Sequence, residues 1–219
     1  MNRLGSMVKT VFDYTLTAVG TICISPLLAY IAYRIKKEDP GPVFFAHTRI
    51  GKNGKPFPCY KFRSMVVNSQ EMLQKYLAEN PAAREEWECD FKLKDDPRVT
   101  PIGKVLRRTS LDELPQIFNV LRGEMSLVGP RPEVRHYVNY WTPEQMRALD
   151  VRPGITDPAS IRFRNENELL EKAEDPEKYY IEVIMQEKLK LYLEYVDNAS
   201  FWYDIKLIFQ TFWVIIKER

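Results

Sequence analysis

The chain has 219 residues, 45% of them apolar and 28% charged, with a net charge of only +2 at pH 7. That length fits one ordinary domain plus a terminal accessory element, and the composition excludes a disordered chain. The small net charge excludes a global field that would draw the protein onto nucleic acid. Cys23, Cys59 and Cys89 are too widely spaced for a disulfide framework or a zinc pattern, which fits a reducing compartment.

The first element is apolar. Between Val11 and Ile35 stand one acid, Asp13, and one base, Arg34, and the uncharged stretch from Tyr14 to Tyr33 is 20 residues long. That is the length needed to cross a bilayer, and longer than the apolar region of a secretory signal. Pro26 lies mid-segment, where its missing N–H and its ring predict a kink or break at Ser25-Pro26. Basic residues flank both ends, Arg3 and Lys9 before and Arg34, Lys36 and Lys37 after, so the positive-inside rule pulls both ends to the cytoplasm. A kinked spanning helix and a helix that bends at Ser25-Pro26, entering and leaving one leaflet, both fit this pattern.

The linker Glu38 to Phe44 carries two prolines and a glycine and marks the exit from the membrane segment. Phe44 to Tyr60 reads as a β-hairpin turning at Asn53-Gly54. Asn68 or Ser69 caps a helix running to about Glu79, with Leu73, Tyr76 and Leu77 inward, and a second short helix over Ala82 to Glu88 follows Pro81. Further on, Thr142-Pro143-Glu144-Gln145 opens a helix with a capping box, and Asp175-Pro176-Glu177 opens a long one through roughly Tyr195. In the last stretch, Phe201 to Arg219, residues Phe201, Ile205, Ile208, Phe209, Phe212 and Ile216 make a helical stripe beside Trp202, Trp213, Lys206 and Lys217. Such a stripe is core in most proteins; beside a membrane segment it reads as an amphipathic helix in the lipid interface.

The residues that could do chemistry crowd the middle, where arginines suited to gripping anionic oxygens are concentrated. In the run Arg107 to Gly123, Ser110 with Glu113 can form a capping box, but Pro115 would then fall inside the helix. A helix starting at Pro115 leaves Asp112 and Glu113 in the turn before it, and Gly123 ends the helix either way. Two adjacent carboxylates behind two arginines could supply a nucleophile and a ligand for a divalent cation. In Gly129-Pro130-Arg131-Pro132-Glu133 two prolines fix the backbone on either side of Arg131, as a diphosphate clamp requires.

These runs, DPGPVFF, RIGKNGKPFPCYKFRSM, DPRVTPIGKVLRRTSLDELPQIFNVLRGEMSLVGPRPE and RPGIT, resemble the monotopic phosphoglycosyl transferases, or bacterial sugar transferases. They cover most of the chain from Asp39 to Thr156, and the run LDELPQ to VGPRP is long and specific. The resemblance implies that Asp112 attacks the β-phosphate of a UDP-sugar, releases UMP and carries the sugar phosphate until polyprenol phosphate takes it. It implies Mg²⁺ held by Glu113, phosphate contacts from Arg107 and Arg131, and site positions for Lys61 and Arg63. It also implies a re-entrant helix broken at Ser25-Pro26, on the cytoplasmic face of a bacterial inner membrane. His47 stands where many members carry Gln and is expected to be a structural hydrogen-bonder. After Thr156 the stretch Asp157 to Asn165 departs from the family, although Arg164 falls on the family's arginine without a gap and is carried over as a substrate contact.

The expected fold is α+β, mainly α, with a re-entrant helix in 1–38, a catalytic domain in 39–200 with a small hairpin, and an interfacial helix in 201–219. The expected partners are the UDP-sugar, the polyprenol phosphate, the bilayer, downstream glycosyltransferases and other copies of the chain, with no nucleic acid. A membrane-bound nucleotide-sugar hydrolase and a non-catalytic scaffold for glycan assembly are the rival readings.

Overall fold

The computed structural model describes residues 3–90 and 93–217; the side chains of Arg3, Cys89 and Ile216, which the sequence reading used, lie outside the described set, as do residues 218 and 219. The protein is mainly helical. Its helices are α1 (Arg3–Glu38), α2 (Ser69–Glu79), α3 (Pro81–Asp90), α4 (Pro101–Thr109), α5 (Gln116–Leu121), α6 (Arg135–Val138), α7 (Pro158–Arg162), α8 (Glu166–Leu170), α9 (Pro176–Tyr179), α10 (Met185–Asn198) and α11 (Phe201–Lys217). The strands are β1 (Phe44–Ile50), β2 (Pro56–Phe62), β3 (Ser126–Val128) and β4 (Gly154–Thr156).

The hairpin is the expected one. β1 and β2 pair antiparallel from Phe44 opposite Phe62 to Ile50 opposite Pro56, and the turn places Asn53 and Gly54 at positive φ, 57° and 71°. α2 begins and ends where expected, with Leu73 buried and Tyr76 and Leu77 half-buried, although the Asn68 side chain makes no cap hydrogen bond. The box at Thr142 also forms: its N–H reaches Gln145 Oε1 at 2.8 Å and its hydroxyl accepts the Gln145 N–H at 3.3 Å. The segment it opens, Gln145–Asp150, is nevertheless a 3₁₀ helix and not an α-helix. Asp175 caps α9, which runs into α10 through a π-turn at Tyr180–Ile184.

A second sheet, β3 with β4, is parallel, with Ser126 opposite Gly154 and Val128 opposite Thr156. The sequence reading did not anticipate it, because three-residue strands carry no periodicity. The approach is close: a Cβ on Gly154 would lie 2.1 Å from the Gly129 nitrogen, so only glycine fits there. This contact joins the two glycine motifs that the chain keeps 25 residues apart in sequence.

α1 is helical throughout, so Pro26 does not interrupt it. The amide that Pro26 lacks would have bonded the Ile22 carbonyl, and the Ser25 hydroxyl takes that place at 2.8 Å. Both ends of α1 dock on the domain. Near its start Lys9, Asp13 and Thr17 are buried on one stripe; near its end Ile31 and Ile35 pack with Phe62, Ile102 and Leu106. Lys9, taken from sequence as a flanking cation, is instead an interior residue: its ammonium bonds Asp204 Oδ2 at 2.6 Å and the Val128 carbonyl at 3.0 Å. Asp13 accepts from Ser126 Oγ at 2.7 Å and faces Arg152 at 3.4 Å. The remaining face of α1 is apolar and exposed, including Met7, Val11, Val19 and Ile22.

α11 packs beside the start of α1, Phe201 edge-on to Phe12 at 5.1 Å. The inward edge of α11 is Asp204, Leu207 and Thr211, while Trp202, Phe209, Phe212 and Trp213 face outward. The expected apolar stripe therefore splits, because buried partners for Asp204 (Lys9 and Tyr195) and for Thr211 (Thr156) draw that polar edge inward. A further core forms under α10, where Ile184, Met185, Leu189 and Tyr192 pack on Ile50, Val138 and Trp141, each large buried side chain adding roughly 1.5–3 kcal/mol.

Candidate active site

α4 delivers the site. Thr100 caps it by accepting the Gly103 N–H at 3.0 Å, Pro101 occupies the first turn, and Arg107 and Arg108 suit its C-terminal dipole. Ser110 then ends the helix in the left-handed region at φ 57°, a conformation that costs a β-carbon residue about 1 kcal/mol. It is thus a C-cap, and its hydroxyl makes no N-terminal cap. Asp112 and Glu113 occupy the 3₁₀ turn Leu111–Glu113, Pro115 precedes α5, and Gly123 closes that helix at φ 77°. The second of the two sequence readings of this run therefore holds.

The turn faces the hairpin. Lys61 of β2 lies 2.7 Å from Glu113 Oε1 and 3.8 Å from Asp112 Oδ2. Arg131 grips Glu113 with both terminal nitrogens, Nη1 reaching Oε2 at 3.2 Å and Nη2 bonding Oε1. Its loop is pinned on each side: Pro130 O accepts from Gly154 N at 3.0 Å, and Glu133 O accepts from Ile50 N at 2.8 Å. The rigid presentation expected of the two prolines is reinforced by these bonds to β4 and β1.

Electrostatics separate the adjacent carboxylates. Burial works against the charge on Glu113, but Arg131 and Lys61 outweigh it and hold the carboxyl at about 2, below its ordinary 4.5. At Asp112 burial prevails: with the neighbouring Glu113 charge it lifts the carboxyl above its ordinary 3.8, although Lys61 and Arg107 pull the other way. Glu113 is therefore a firmly ionised carboxylate held by two cations, while Asp112 is a less stabilised one. An under-stabilised anion beside cations is suited to nucleophilic work.

The other expected residues fall at different distances. Arg107 bonds Ser64 Oγ at 2.9 Å at the rim. Arg63 turns to Asp39, 2.6 Å away, and so ties the exit of α1 to the end of β2 rather than joining the carboxylate cluster. Arg164 is exposed in the turn after α7. His47 stacks on Phe45 (centroids 6.4 Å apart, rings 15° from parallel) and makes no hydrogen bond among the described residues; partial burial, with Arg49 and Lys61 nearby, holds it below the ordinary imidazole range.

Asn119 escaped the sequence reading. Fully buried in α5, it accepts the Tyr60 N–H at 3.0 Å and donates to Pro58 O and Glu124 Oε2, each at 2.7 Å. It satisfies the open edge of β2 and so fixes Lys61 relative to the carboxylate turn. The one local signal was an amide among apolar residues of a short helix.

A magnesium ion fits the donor set in kind, since it takes oxygen ligands from one or two carboxylates plus substrate phosphates. Among the described residues no group of three or more His, Cys, Asp or Glu side chains could hold a metal by itself. Glu113 uses two lone pairs of Oε1 and one of Oε2 on Lys61 and Arg131, leaving one on Oε2 for a cation.

Known proteins resemble the chain over nearly its whole length. The chain is 42% identical over 218 residues to the undecaprenyl-phosphate galactose phosphotransferase of Salmonella typhimurium, covering 99% of this chain and 42% of that protein. It is 39% identical over 215 residues to the UDP-glucose:undecaprenyl-phosphate glucose-1-phosphate transferase of Escherichia coli K12, covering 96% of this chain and 40% of that protein. It is 38% identical over 216 residues to the exopolysaccharide production protein ExoY of Sinorhizobium fredii, covering 99% of this chain and 88% of that protein. The chain thus spans about two fifths of the first two relatives and most of the third. The model of the bacterial sugar transferase family matches residues 4–218, and the chain belongs to that family.

Proposed function

We propose that this protein transfers a sugar 1-phosphate from a UDP-sugar to polyprenol phosphate, releasing UMP and starting a bacterial surface glycan. The observation that carries the reading is the Asp112–Glu113 turn set against Lys61 and Arg131. Asp112 attacks the β-phosphorus, the bond from that phosphorus to the UMP oxygen breaks, and UMP leaves with the electron pair. An oxygen of polyprenol phosphate then attacks the same phosphorus, and the aspartyl oxygen departs as carboxylate. Lys61, Arg131 and Arg107 offset negative charge on the phosphoryl oxygens. Magnesium, which Glu113 would hold, supplies further charge neutralisation of the diphosphate. The names of the relatives, with their undecaprenyl-phosphate acceptors and UDP-glucose donor, support the substrate classes.

The acceptor is a membrane lipid, and α1 and α11 support a place for the enzyme at the bilayer surface. From Lys9 to Ile35 a straight helix is roughly 39 Å long, more than the ~30 Å of a hydrocarbon core. A straight crossing would put the two docked ends of α1 on opposite faces, yet both pack on one domain. A helix that bends near Ser25-Pro26 and stays in one leaflet avoids that conflict. The outward aromatics of α11 would lie in the same leaflet. UDP-sugars place the reaction on the cytoplasmic face of the inner membrane.

The test is UMP release by detergent-solubilised protein with Mg²⁺ and a panel of UDP-sugars, with and without polyprenol phosphate. Acceptor-dependent UMP release with a given sugar is expected. Acceptor-independent release would replace the reading with a hydrolase, and no release with any donor would point to the scaffold.

A further inference from the structure

The two cations best placed to bind a diphosphate are already occupied. Oε1 of Glu113 takes both Lys61 and Arg131, and Oε2 takes the second Arg131 nitrogen. A bidentate guanidinium with an ammonium on one of the same oxygens is the grip a phosphoryl group would receive. Within this group of four, Lys61 and Arg131 balance Asp112 and Glu113, while Arg107 stands at the rim on the Ser64 hydroxyl. A diphosphate added to this arrangement meets two carboxylates and no unengaged cation within the cluster.

Resting on the donor assignment above, we propose that Glu113 is a place-holder for the donor's diphosphate. In the free enzyme its carboxylate fills the Lys61–Arg131 cradle and keeps both cations aimed at one point. As the diphosphate enters, Glu113 leaves the cradle, and its carboxylate passes from the two side-chain cations to the divalent cation that accompanies the diphosphate. The exchange keeps every charge paired: phosphate oxygens replace carboxylate oxygens on Lys61 and Arg131, and the carboxylate gains a new counter-ion. Asp112 stays outside the exchange, since its nearest cation among the described residues, Lys61, is 3.8 Å away. Any dependence of donor binding on a divalent cation then comes largely from the need to rehouse Glu113.

Without metal, removing the charge of Glu113 should improve diphosphate binding, whereas a fixed scaffold role predicts no gain. UDP is the probe, titrated calorimetrically into detergent-solubilised full chain in EDTA. Glu113→Gln is expected to bind about tenfold or more tightly than the wild type, because the cradle loses its charged occupant. Asp112→Asn removes the same charge from the neighbouring residue but leaves the cradle filled, and should gain less than about threefold. Adding Lys61→Met to Glu113→Gln should abolish the gain, and Mg²⁺ should narrow the gap by helping the wild type more. Equal or weaker metal-free binding by Glu113→Gln, or an equal gain in Asp112→Asn, overturns the place-holder role while Mg²⁺-dependent UDP binding leaves the donor assignment standing. Failure of every form to bind UDP with or without Mg²⁺ overturns both.

Discussion

Lys9, Asp13, Arg152 and Asp204 form one ionic cluster of this molecule, and Lys61, Asp112, Glu113 and Arg131 form another, each with two cations and two carboxylates. The first lies where α1, β3 and α11 meet and is closed: Asp204 also accepts from Tyr195 at 2.7 Å, Asp13 from Ser126, and Lys9 reaches the Val128 carbonyl. Its aspartates are only 2% and 4% exposed. The second is more open, with Lys61 27% and Arg131 35% exposed, and among the described residues its Asp112 has no cation nearer than 3.8 Å. The same residue types therefore give a joint in one place and a reactive centre in the other. What separates them is how completely each carboxylate is partnered, and whether the cations can be reached from outside.

Three experiments would break or sharpen that contrast. The largest effect is expected from Asp112→Asn, which should lower turnover by a factor of about 10³ or more because an amide is a poor nucleophile. The same change should leave stability at neutral pH equal or higher. Burial raises the Asp112 carboxyl, so its ionised form works against folding at neutral pH, and the substitution removes that cost. Thermal unfolding beside UMP release measures both, and a marked loss of stability would show that Asp112 belongs to a joint after all.

In the closed cluster the order reverses. Lys9→Ala should cost about 3–5 kcal/mol by leaving Asp204 and Asp13 short of a cation, while Lys9→Met with Asp204→Leu should recover most of it. Chemical denaturation of the solubilised protein distinguishes the two. A single variant as stable as the wild type would mean that the ends of α1 are held by apolar packing alone.

The third effect is smaller and depends on pH. The Glu113 carboxyl is depressed to about 2 from 4.5, so its stabilisation is complete above 4.5 and disappears as pH falls through 2. The loss amounts to about 3 kcal/mol, and Glu113→Gln should flatten that part of the profile. A variant with the wild-type acid profile would assign the loss to other carboxylates.

Much of the site is legible in the order of residues alone. Asp112 and Glu113 are adjacent, Arg131 sits between two prolines, and the turn at Asn53-Gly54 fixes the hairpin that carries Lys61. Capping and turn formation involve residues within a few positions of one another, so their geometry is written in local order. Arg63 shows where that stops. Its motif places it two residues after Lys61, on the same face by alternation, but β2 ends at Phe62, and past that end Arg63 meets Asp39 instead.

By itself, then, the sequence determined a long apolar first helix, the hairpin, the starts of α2, α3, α9 and α11, the adjacent carboxylates and the family resemblance. Only the tertiary structure decided that Glu113, not Asp112, takes both cations, that Asn119 joins α5 to β2, and that β3 and β4 lie parallel. It alone placed Lys9 on Asp204, a partner 195 residues away. These choices rest on contacts between distant segments, and a buried polar group's partner is set by which backbone and side-chain atoms the fold brings within about 3 Å, which spacing along a chain does not encode.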